Sequence, residues 1–275
     1  MDKEWRIKQR RPDWETPVIE TRERNLRLKE RYQPIRRMAI VSDIHGNLEA
    51  LEAVIADLKT QDCQSIVCLG DTVGYGANPI ECLDWVEANA GLSLLGNHDS
   101  LVIGRSNINY LASYARYSML WTRKLLTDKH KDYLASLPLV VFYEDATFVH
   151  GTLYSPELFD YIQARHDAYI SLQILESNLC FIGHSHVPIT FFQGGTISYS
   201  LNPKIRMREG LSALVNVGSV GQPRDDNPKA CYAVYDQTKH EIEVRRIEYD
   251  IDRACEKILG LGWPAPLAER LKYGR

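Results

Sequence analysis

The sequence predicts an α/β protein, because strand-like apolar runs alternate with helical patterns from Met38 onward. Two further observations favour the same class. Five of the apolar runs end in Asp, Asn or His at a turn, and the last third of the chain is rich in β-branched, alternating segments. We therefore expect a helix-covered sheet with polar side chains at its strand ends, followed by a second sheet.

The first half of the pattern consists of strand, turn and helix in repetition. Asn47 and the Asn78-Pro79 pair stand where a helix N-terminus is expected, directly before apolar residues at helical spacing. The stretch 105–136 is helical in pattern and interrupts the alternation, which predicts a cap-like insertion beside the strand ends. The expected strands here are 38–42, 65–69 and 92–95, and the expected helices begin after Asn47 and at Pro79.

The second half is dominated by strand signals, with Gly194-Gly195 marking a hairpin turn. We expect the strands after this turn to belong to the second sheet and the chain to end in a short polar terminus. The expected strands are 139–143, 146–149, 179–182, 189–192, 196–199, 212–217, 231–235 and 241–247, with helices within 156–176 and near 251–259.

The composition is that of an ordinary soluble globular protein. With 275 residues and 44% hydrophobic content, the chain can bury a sizeable core in one large domain. No apolar run approaches the roughly 20 residues that cross a bilayer, and no signal-peptide core stands at the N-terminus. Six scattered cysteines without a C-x-x-C pair indicate reduced thiols, so we expect a cytoplasmic location and no membrane partner.

Charge is distributed unevenly along the chain. Residues 1–37 hold 12 Lys and Arg against 7 Asp and Glu, whereas the whole chain has a net charge of −3. We interpret residues 1–37 as a charged extension, either solvated or able to bind an acidic partner, and residues 38–275 as the main domain. Because Met38 directly precedes the first strand, a start site at Met38 is a further alternative. The acidic body does not signal nucleic-acid binding.

The residues that follow the apolar runs are those that bind divalent metals. Their order along the chain is Asp43-Ile44-His45, Gly70-Asp71, Gly96-Asn97-His98-Asp99, His150-Gly151 and Gly183-His184-Ser185-His186. This ordered set resembles the calcineurin-like metallophosphoesterase superfamily, in particular its bacterial YfcE-like and diadenosine-tetraphosphatase-like branch. The resemblance spans about residues 38–247 and implies a four-layer α/β/β/α sandwich of two mixed sheets flanked by helices.

The resemblance also implies a dinuclear metal site. Asp71 would bridge the two metals; Asp43, His45 and His186 would complete one coordination shell, and Asn97, His150 and His184 the other. This mixed nitrogen and oxygen set suits Mn²⁺, Fe, Zn²⁺, Ni²⁺ or Co²⁺ better than Mg²⁺ or Ca²⁺, with Mn²⁺ the first choice in vitro. A water bridging the two metals would be the nucleophile.

Five further residues are candidates for the chemistry and for substrate binding. By resemblance, His98 would protonate the leaving oxygen or stabilise the phosphoryl group, and Asp99 would fix the tautomer of His98. Arg224 could bind substrate phosphate in bidentate fashion, Tyr75 could contact substrate, and Asn216 begins an Asn-x-Gly-Ser segment that lines the site in the resembling branch.

The expected activity is hydrolysis of a small-molecule or nucleotide phosphate ester, with a phosphodiester preferred over a monoester on resemblance alone. A protein serine/threonine phosphatase or a dinucleoside-polyphosphate hydrolase would use the same site. A metal-free binding scaffold is a rival of another class, and the intact ligand set argues against it. A Ser-His-Asp hydrolase is disfavoured because the G-x-S-x-G elbow is missing.

Overall fold

The computed structural model describes residues 36–108, 111 and 113–275. The extension expected at residues 1–37 lies outside this part of the chain, except for its last two residues. Arg37 already belongs to the first strand, one residue earlier than expected.

Two six-stranded sheets form the centre of the described part. Sheet A has the strand order β3-β2-β1-β11-β12-β9, and sheet B has the order β4-β5-β6-β10-β7-β8. The strands are β1 (Arg37–Val41), β2 (Ser65–Cys68), β3 (Leu92–Ser93), β4 (Val140–Tyr143), β5 (Ala146–Val149), β6 (Leu179–Ile182), β7 (Ile189–Gln193), β8 (Ser198–Ser200), β9 (Lys204–Arg206), β10 (Ser212–Asn216), β11 (Ala230–Asp236) and β12 (Glu241–Ile247).

Helices lie between and after these strands. They are α1 (Leu48–Leu58), α2 (Pro79–Asn89), α3 (Asn97–Val102), α4 (Ser113–Leu125), α5 (Asp128–Ser136), α6 (Arg165–Ile174), α7 (Ile251–Gly260) and α8 (Pro266–Tyr273), with a 3₁₀ turn at Pro156–Leu158. Asn47 caps α1 as expected, since its side chain accepts a hydrogen bond from the Ala50 amide. None of the helices in the described ranges is long and apolar enough to cross a membrane.

Alternation along the central strands divides the core into layers. Met38 and Ile40 of β1 join a cluster with Phe148 and Phe181 of sheet B, so the two sheets face each other. Ala39 and Val41 point the other way and pack with residues of α1 and α2. On the outside of sheet B, Cys180 and Ile182 pack with Ala168 and Leu172 of α6. The four-layer α/β/β/α sandwich is confirmed.

The assignment of strands to sheets differs from the expectation. Sheet B already begins with β4, and β11 and β12 return to sheet A instead of extending a second sheet. β11 pairs antiparallel with β1, with Ala39 opposite Val234. Alternating strands fit either sheet equally well, so the sequence pattern could not decide between them.

Three elements were not expected from the sequence. Strand β9 is only three residues long, and α3 starts within the Gly96-Asn97-His98-Asp99 turn. The terminus is not merely polar, because α8 buries Leu267 and Leu271 against α7 and Trp263. Pro266 at the first helical position and Gly274 at the C-cap were readable signals for this helix.

Three histidines outside the ligand set stand in polar stretches of the sequence, which predicts surface positions for His130, His166 and His240. His166 and His240 are exposed, as expected. His130 is buried, and this expectation is wrong: its Nδ1 accepts a hydrogen bond from the Thr127 amide, while its Nε2 lies 3.1 Å from Asp84 Oδ1. Its polar neighbours in sequence point outward from the exposed face of α5, and the ring points inward.

Candidate metal centre

The carboxyl ends of parallel strands from both sheets meet at one edge of the sandwich. Asp43 and His45 follow β1 and Asp71 follows β2, and these two strands are parallel neighbours. His150 follows β5, while His184 and His186 follow β6, its parallel neighbour in sheet B. Asn97 opens α3 after β3. The structure thus brings together all seven side chains that the sequence indicated as metal ligands.

Most of these residues have an unusual backbone conformation. Asp43, His45, Asp71, His184 and His186 all have φ between 51° and 65°, in the left-handed region that residues other than glycine seldom adopt. Such conformations cost free energy and persist where the surrounding structure fixes them. The strands β1, β2 and β6 therefore end in sharp turns that aim these polar side chains at the common centre.

The first group of side chains surrounds Asp43 Oδ1. His186 Nε2 lies 3.2 Å and His45 Nε2 lies 3.7 Å from this oxygen, and the two Nε2 atoms are 3.1 Å apart. The other carboxylate oxygen, Oδ2, accepts a hydrogen bond from the His184 amide at 2.9 Å. Asp43 Oδ1 itself is buried and has no hydrogen-bond partner among the described residues.

The second group surrounds Asp71 Oδ2. His150 Nε2 lies 3.4 Å from this oxygen and 3.2 Å from Asn97 Oδ1. His45 Nε2, from the first group, lies 3.6 Å from the same Asp71 oxygen. Asp71 therefore stands between the two groups, which is the position that a bridging carboxylate needs. A ligand atom of His184 lies within 4.8 Å of those of Asp71 and His150.

The orientation of the imidazole rings fits metal binding. The Nδ1 atoms of His45, His150 and His186 lie within hydrogen-bond distance of the carbonyl oxygens of Val73, Leu69 and Gln222. A ring that donates from Nδ1 has its lone pair on Nε2, and all three Nε2 atoms point into the centre. Lone pairs converging on a buried, unpartnered carboxylate oxygen call for a cation, so the residues present fit a divalent metal.

The protonation states of His184 and His186 also favour metal binding. Burial lowers the pKa of His184 to about 3. Burial, and after it the charge of Arg224, lowers the pKa of His186 to about 4. Both rings are therefore neutral near pH 7, the state in which imidazole binds a metal.

The carboxylates and His150 are coupled by charge. Burial raises the pKa of Asp43 and of Asp71, but the nearby imidazoles outweigh burial and hold both pKa values below the usual range. Burial lowers the pKa of His150, and the charge of Asp71 outweighs it and raises this pKa to about 9. A proton on His150 and a bound metal would therefore compete for the same negative charge.

The role expected for Asp99 is corrected by its hydrogen bonds. Its carboxylate accepts from the backbone amides of Asp71, Thr72, Val73 and Gly96, at distances from 2.8 to 3.3 Å. It does not bind the His98 ring, whose Nδ1 is buried and has no hydrogen-bond partner in the described part of the chain. Asp99 instead fixes the turn that presents Asp71, and acts as a positioning residue.

His98 lies next to both groups, with a ring nitrogen within 4.8 Å of ligand atoms of His45 and Asp71, so it could also reach a metal there. Its ring centroid is 4.7 Å from that of His45 and 4.6 Å from that of Tyr75. Gly74 has a φ of 95°, and a Cβ there would overlap the His98 ring, so the close approach of this loop requires glycine. Burial lowers the pKa of His98, which keeps the ring neutral.

Asn216 does not face the site, which corrects its expected substrate-binding role. It is fully buried, and its Nδ2 donates to Gly183 O at 2.6 Å and to Ser185 Oγ at 2.9 Å. Its Oδ1 accepts from the Gly218 amide. Asn216 therefore holds the turn that carries His184 and His186.

Tyr75 lies beside His45, and Arg224 lies beside Tyr75; their role in substrate binding stays a prediction. The Tyr75 ring lies edge-on to His45, with 4.7 Å between ring centroids. The Arg224 guanidinium carbon lies 5.8 Å from the Tyr75 centroid. Nε of Arg224 is buried without a hydrogen-bond partner among the described residues.

Three residues at the site had no role of their own assigned from the sequence, although Ser219 belongs to the Asn-x-Gly-Ser segment. Ser219 Oγ donates to Asp43 O and accepts from the Gln222 amide, which joins the Asn216 loop to the first ligand turn. The Tyr161 ring stacks on His184, with 3.9 Å between centroids. The Arg270 guanidinium carbon lies 5.7 Å from the Tyr75 centroid. Tyr161 and Arg270 stand outside any motif, so only the fold could bring them to the site.

Comparison with known proteins agrees with this geometry. The model of the calcineurin-like phosphoesterase superfamily domain matches residues 37–240. The uncharacterized protein MJ0912 of Methanocaldococcus jannaschii is 40% identical over 242 residues, which cover 86% of this chain and 98% of that protein.

Solved structures show the same relationship. A metallophosphoesterase from Sphaerobacter thermophilus is 34% identical, with a TM-score of 0.77, and the match covers 88% of this chain and 100% of that one. The hypothetical protein PH1004 of Pyrococcus horikoshii OT3 shares the fold at 18% identity, with a TM-score of 0.71 and coverage of 87% and 98%.

Proposed function

The chain belongs to the calcineurin-like phosphoesterase superfamily, and from this membership we propose that it hydrolyses phosphodiesters with two divalent metal ions. Its family and its Asp and His clusters support the coarser statement, that it is a metal-dependent phosphoester hydrolase. The diester preference, the second metal and the choice of Mn²⁺ belong to the proposal. So does the narrower likeness to the YfcE-like and diadenosine-tetraphosphatase-like branch.

One observation carries the proposal: three imidazole Nε2 atoms, fixed by backbone carbonyls at Nδ1, converge on two buried carboxylates. In the proposed site Asp43, His45, Asp71 and His186 hold one metal, and Asp71, Asn97, His150 and His184 hold the other. When bound, such a pair of metals supplies Lewis acidity that neutralises phosphate charge and activates water.

The protein's own residues then orient the substrate and handle the leaving group. Arg224, which is cationic and close to His186 and Tyr75, binds a phosphate oxygen. We assign His98 a hydrogen bond to the phosphoryl group or to the leaving oxygen, because its ring is neutral, buried and unpartnered at Nδ1 within the described part of the chain. To act as a general acid, the ring would first have to gain a proton. Asp99 and Asn216 touch no substrate and hold the two ligand turns.

The test combines metal content with activity. Metal bound per chain is measured by mass spectrometry, and hydrolysis of bis(p-nitrophenyl) phosphate and p-nitrophenyl phosphate is followed with and without Mn²⁺. We expect about two metals per chain, faster hydrolysis of the diester, and loss of both metal and activity in Asp71→Asn. Protein that binds no metal and stays inert after reconstitution would leave the binding scaffold as the better interpretation.

Asp62→Asn provides the matched control. Asp62 is exposed and has a φ of 51°, so the same substitution is made in the same backbone conformation but away from the centre. This variant should keep the metal content and activity of the wild type.

A further inference from the structure

The helices α7 and α8 lie against the rim of the metal centre. A small cavity is lined by His45, Tyr75 and Gln222 on one side, and on the other by residues of α7 and α8 that include Ile258 and Leu271. The C-terminal helices therefore form a wall of the space above the ligand His45.

Ion pairs and hydrogen bonds fix α7 next to the site loops. Lys257 of α7 binds Glu49 of α1, and its Nζ donates to Asn78 Oδ1 at 2.9 Å, directly after the loop that carries Tyr75. Arg253, one turn earlier, lies 3.5 Å from the same Glu49 carboxylate. Because Glu49 is buried, leaving its carboxylate without these cations would be costly, so the contact keeps α7 in this position.

The end of α8 is bonded to the loop that carries Arg224. The Asp226 amide donates to Gly274 O at 3.0 Å, and Arg275 Nε lies 2.7 Å from Asp226 Oδ1. Arg270 Nε donates to Arg275 O, which sets the direction of its side chain. Arg224 and Arg270 thus lie on two segments that are joined by a hydrogen bond and an ion pair.

Both guanidinium groups approach the same aromatic ring. Their central carbons lie 5.8 Å and 5.7 Å from the Tyr75 centroid. Tyr75 is fixed in turn by a φ of 58° and by the hydrogen bond from its amide to Ser118 Oγ. The two guanidinium groups come from different segments and share Tyr75 as a neighbour, and guanidinium groups are the usual partners of phosphate oxygens.

We propose that Arg270 is a specificity residue that acts with Arg224 to bind a second phosphate group of the substrate, beyond the one that is hydrolysed. This rests on the proposed function for the identity of the hydrolysed group. The preferred substrates are then nucleotide-like phosphate esters that carry two phosphates, linked either directly or across a sugar.

Binding measurements test the proposal without turnover. Full-length protein treated with EDTA is titrated calorimetrically with AMP, ADP and adenosine 3′,5′-bisphosphate. In the wild type we expect ADP or the bisphosphate to bind at least about tenfold more tightly than AMP, the effect of one charge-assisted contact. If ADP binds more tightly than AMP, the second phosphate is adjacent to the first. If the bisphosphate does, the second phosphate lies across the sugar.

The variant Arg270→Gln should reduce that affinity ratio to within about threefold, and Arg270→Lys should restore part of it. Lys272→Gln is the matched control, because Lys272 lies on the same helix, has the same charge and is half-exposed in a pair with Asp252. Its affinity ratio should equal that of the wild type.

Two results would overturn the inference: a wild type that binds neither diphosphate more tightly than AMP, or an affinity ratio that Arg270→Gln leaves unchanged. Neither depends on catalysis. If the protein proves inert toward p-nitrophenyl esters with every metal, the proposed function fails, while the affinity ratios still decide the role of Arg270.

Discussion

Replacing Asn216 by alanine should destabilise the protein and weaken metal binding together. Asn216 is fully buried, and its amide makes three hydrogen bonds, to Gly183 O, Ser185 Oγ and the Gly218 amide. Alanine removes all three bonds. Gly183 O keeps its bond from the Ser185 amide, but the Gly218 amide and the Ser185 hydroxyl lose their Asn216 partner, at about 1–3 kcal/mol for each group that finds no other. For these two groups we expect a total loss of about 2–4 kcal/mol.

The same bonds set the turn between His184 and His186. Loss of a residue that orients metal ligands lowers metal affinity by about 10–100-fold in well-studied sites. We therefore expect the Mn²⁺ affinity of Asn216→Ala to fall within that range, even under conditions where the variant is folded. Stability is measured by urea denaturation of metal-free protein, and affinity by calorimetric titration.

Two further variants serve as a comparison and a control for this prediction. Asn216→Asp keeps the acceptor for the Gly218 amide but turns a carboxylate oxygen toward Gly183 O, so it should be at least as unstable as the alanine variant. Asn202→Ala removes an exposed asparagine whose Oδ1 accepts from the Lys204 amide, and should cost less than about 0.5 kcal/mol. If the free energy of unfolding of Asn216→Ala lies within about 1 kcal/mol of the wild-type value, the reasoning from its three bonds is wrong.

Three further predictions concern other parts of the fold. Asp57 binds the guanidinium of Arg245 through both carboxylate oxygens, at 2.8 and 2.9 Å, so Asp57→Asn should lose about 1–3 kcal/mol in urea denaturation at pH 7. Because the pKa of Asp57 is lowered by this contact, the difference should be complete above pH 3.8 and shrink as the pH falls through the folded-state pKa; a difference independent of pH would contradict it. A Cβ at Gly96 would overlap Asp71, so Gly96→Ala should lose bound Mn²⁺ in a metal analysis, and full metal content would argue against the overlap. Phe148 is fully buried between the sheets, so Phe148→Ala should lower the free energy of unfolding by about 3–5 kcal/mol, and a loss below about 1 kcal/mol would show that the core can collapse around it.

Sequence patterns were sufficient where a local rule decides the structure. The strands before Asp43, Asp71, His150 and His184 could be predicted because each is a short apolar run that ends in a turn. The convergence of these residues followed from the rule that parallel strands present their carboxyl ends at one edge. The superfamily resemblance added the pairing of ligands, which no local rule contains.

Other features depend on tertiary contacts and could not be predicted. The burial of His130 follows from the orientation of α5 and from Asp84 on another helix. Asp99 was expected to act on its neighbour in sequence, His98, but its carboxylate lies among the amides of the Asp71 turn. In both cases the hydrogen-bond partner is distant in sequence, so a local pattern could not identify it.

The residues proposed for the chemistry and the residue proposed for substrate selection lie in different parts of the chain. Every proposed metal ligand lies within residues 37–240, the part that the superfamily model matches, and most of these ligands are held in strained turns that admit little variation. Arg270 lies beyond that part, on the helix α8, whose C-terminal end is bonded to the loop at Asp226. A helix attached in this way can change its sequence without moving a strand end. We therefore expect relatives that share the metal ligands to differ in substrate according to what their C-terminal segment places beside Tyr75.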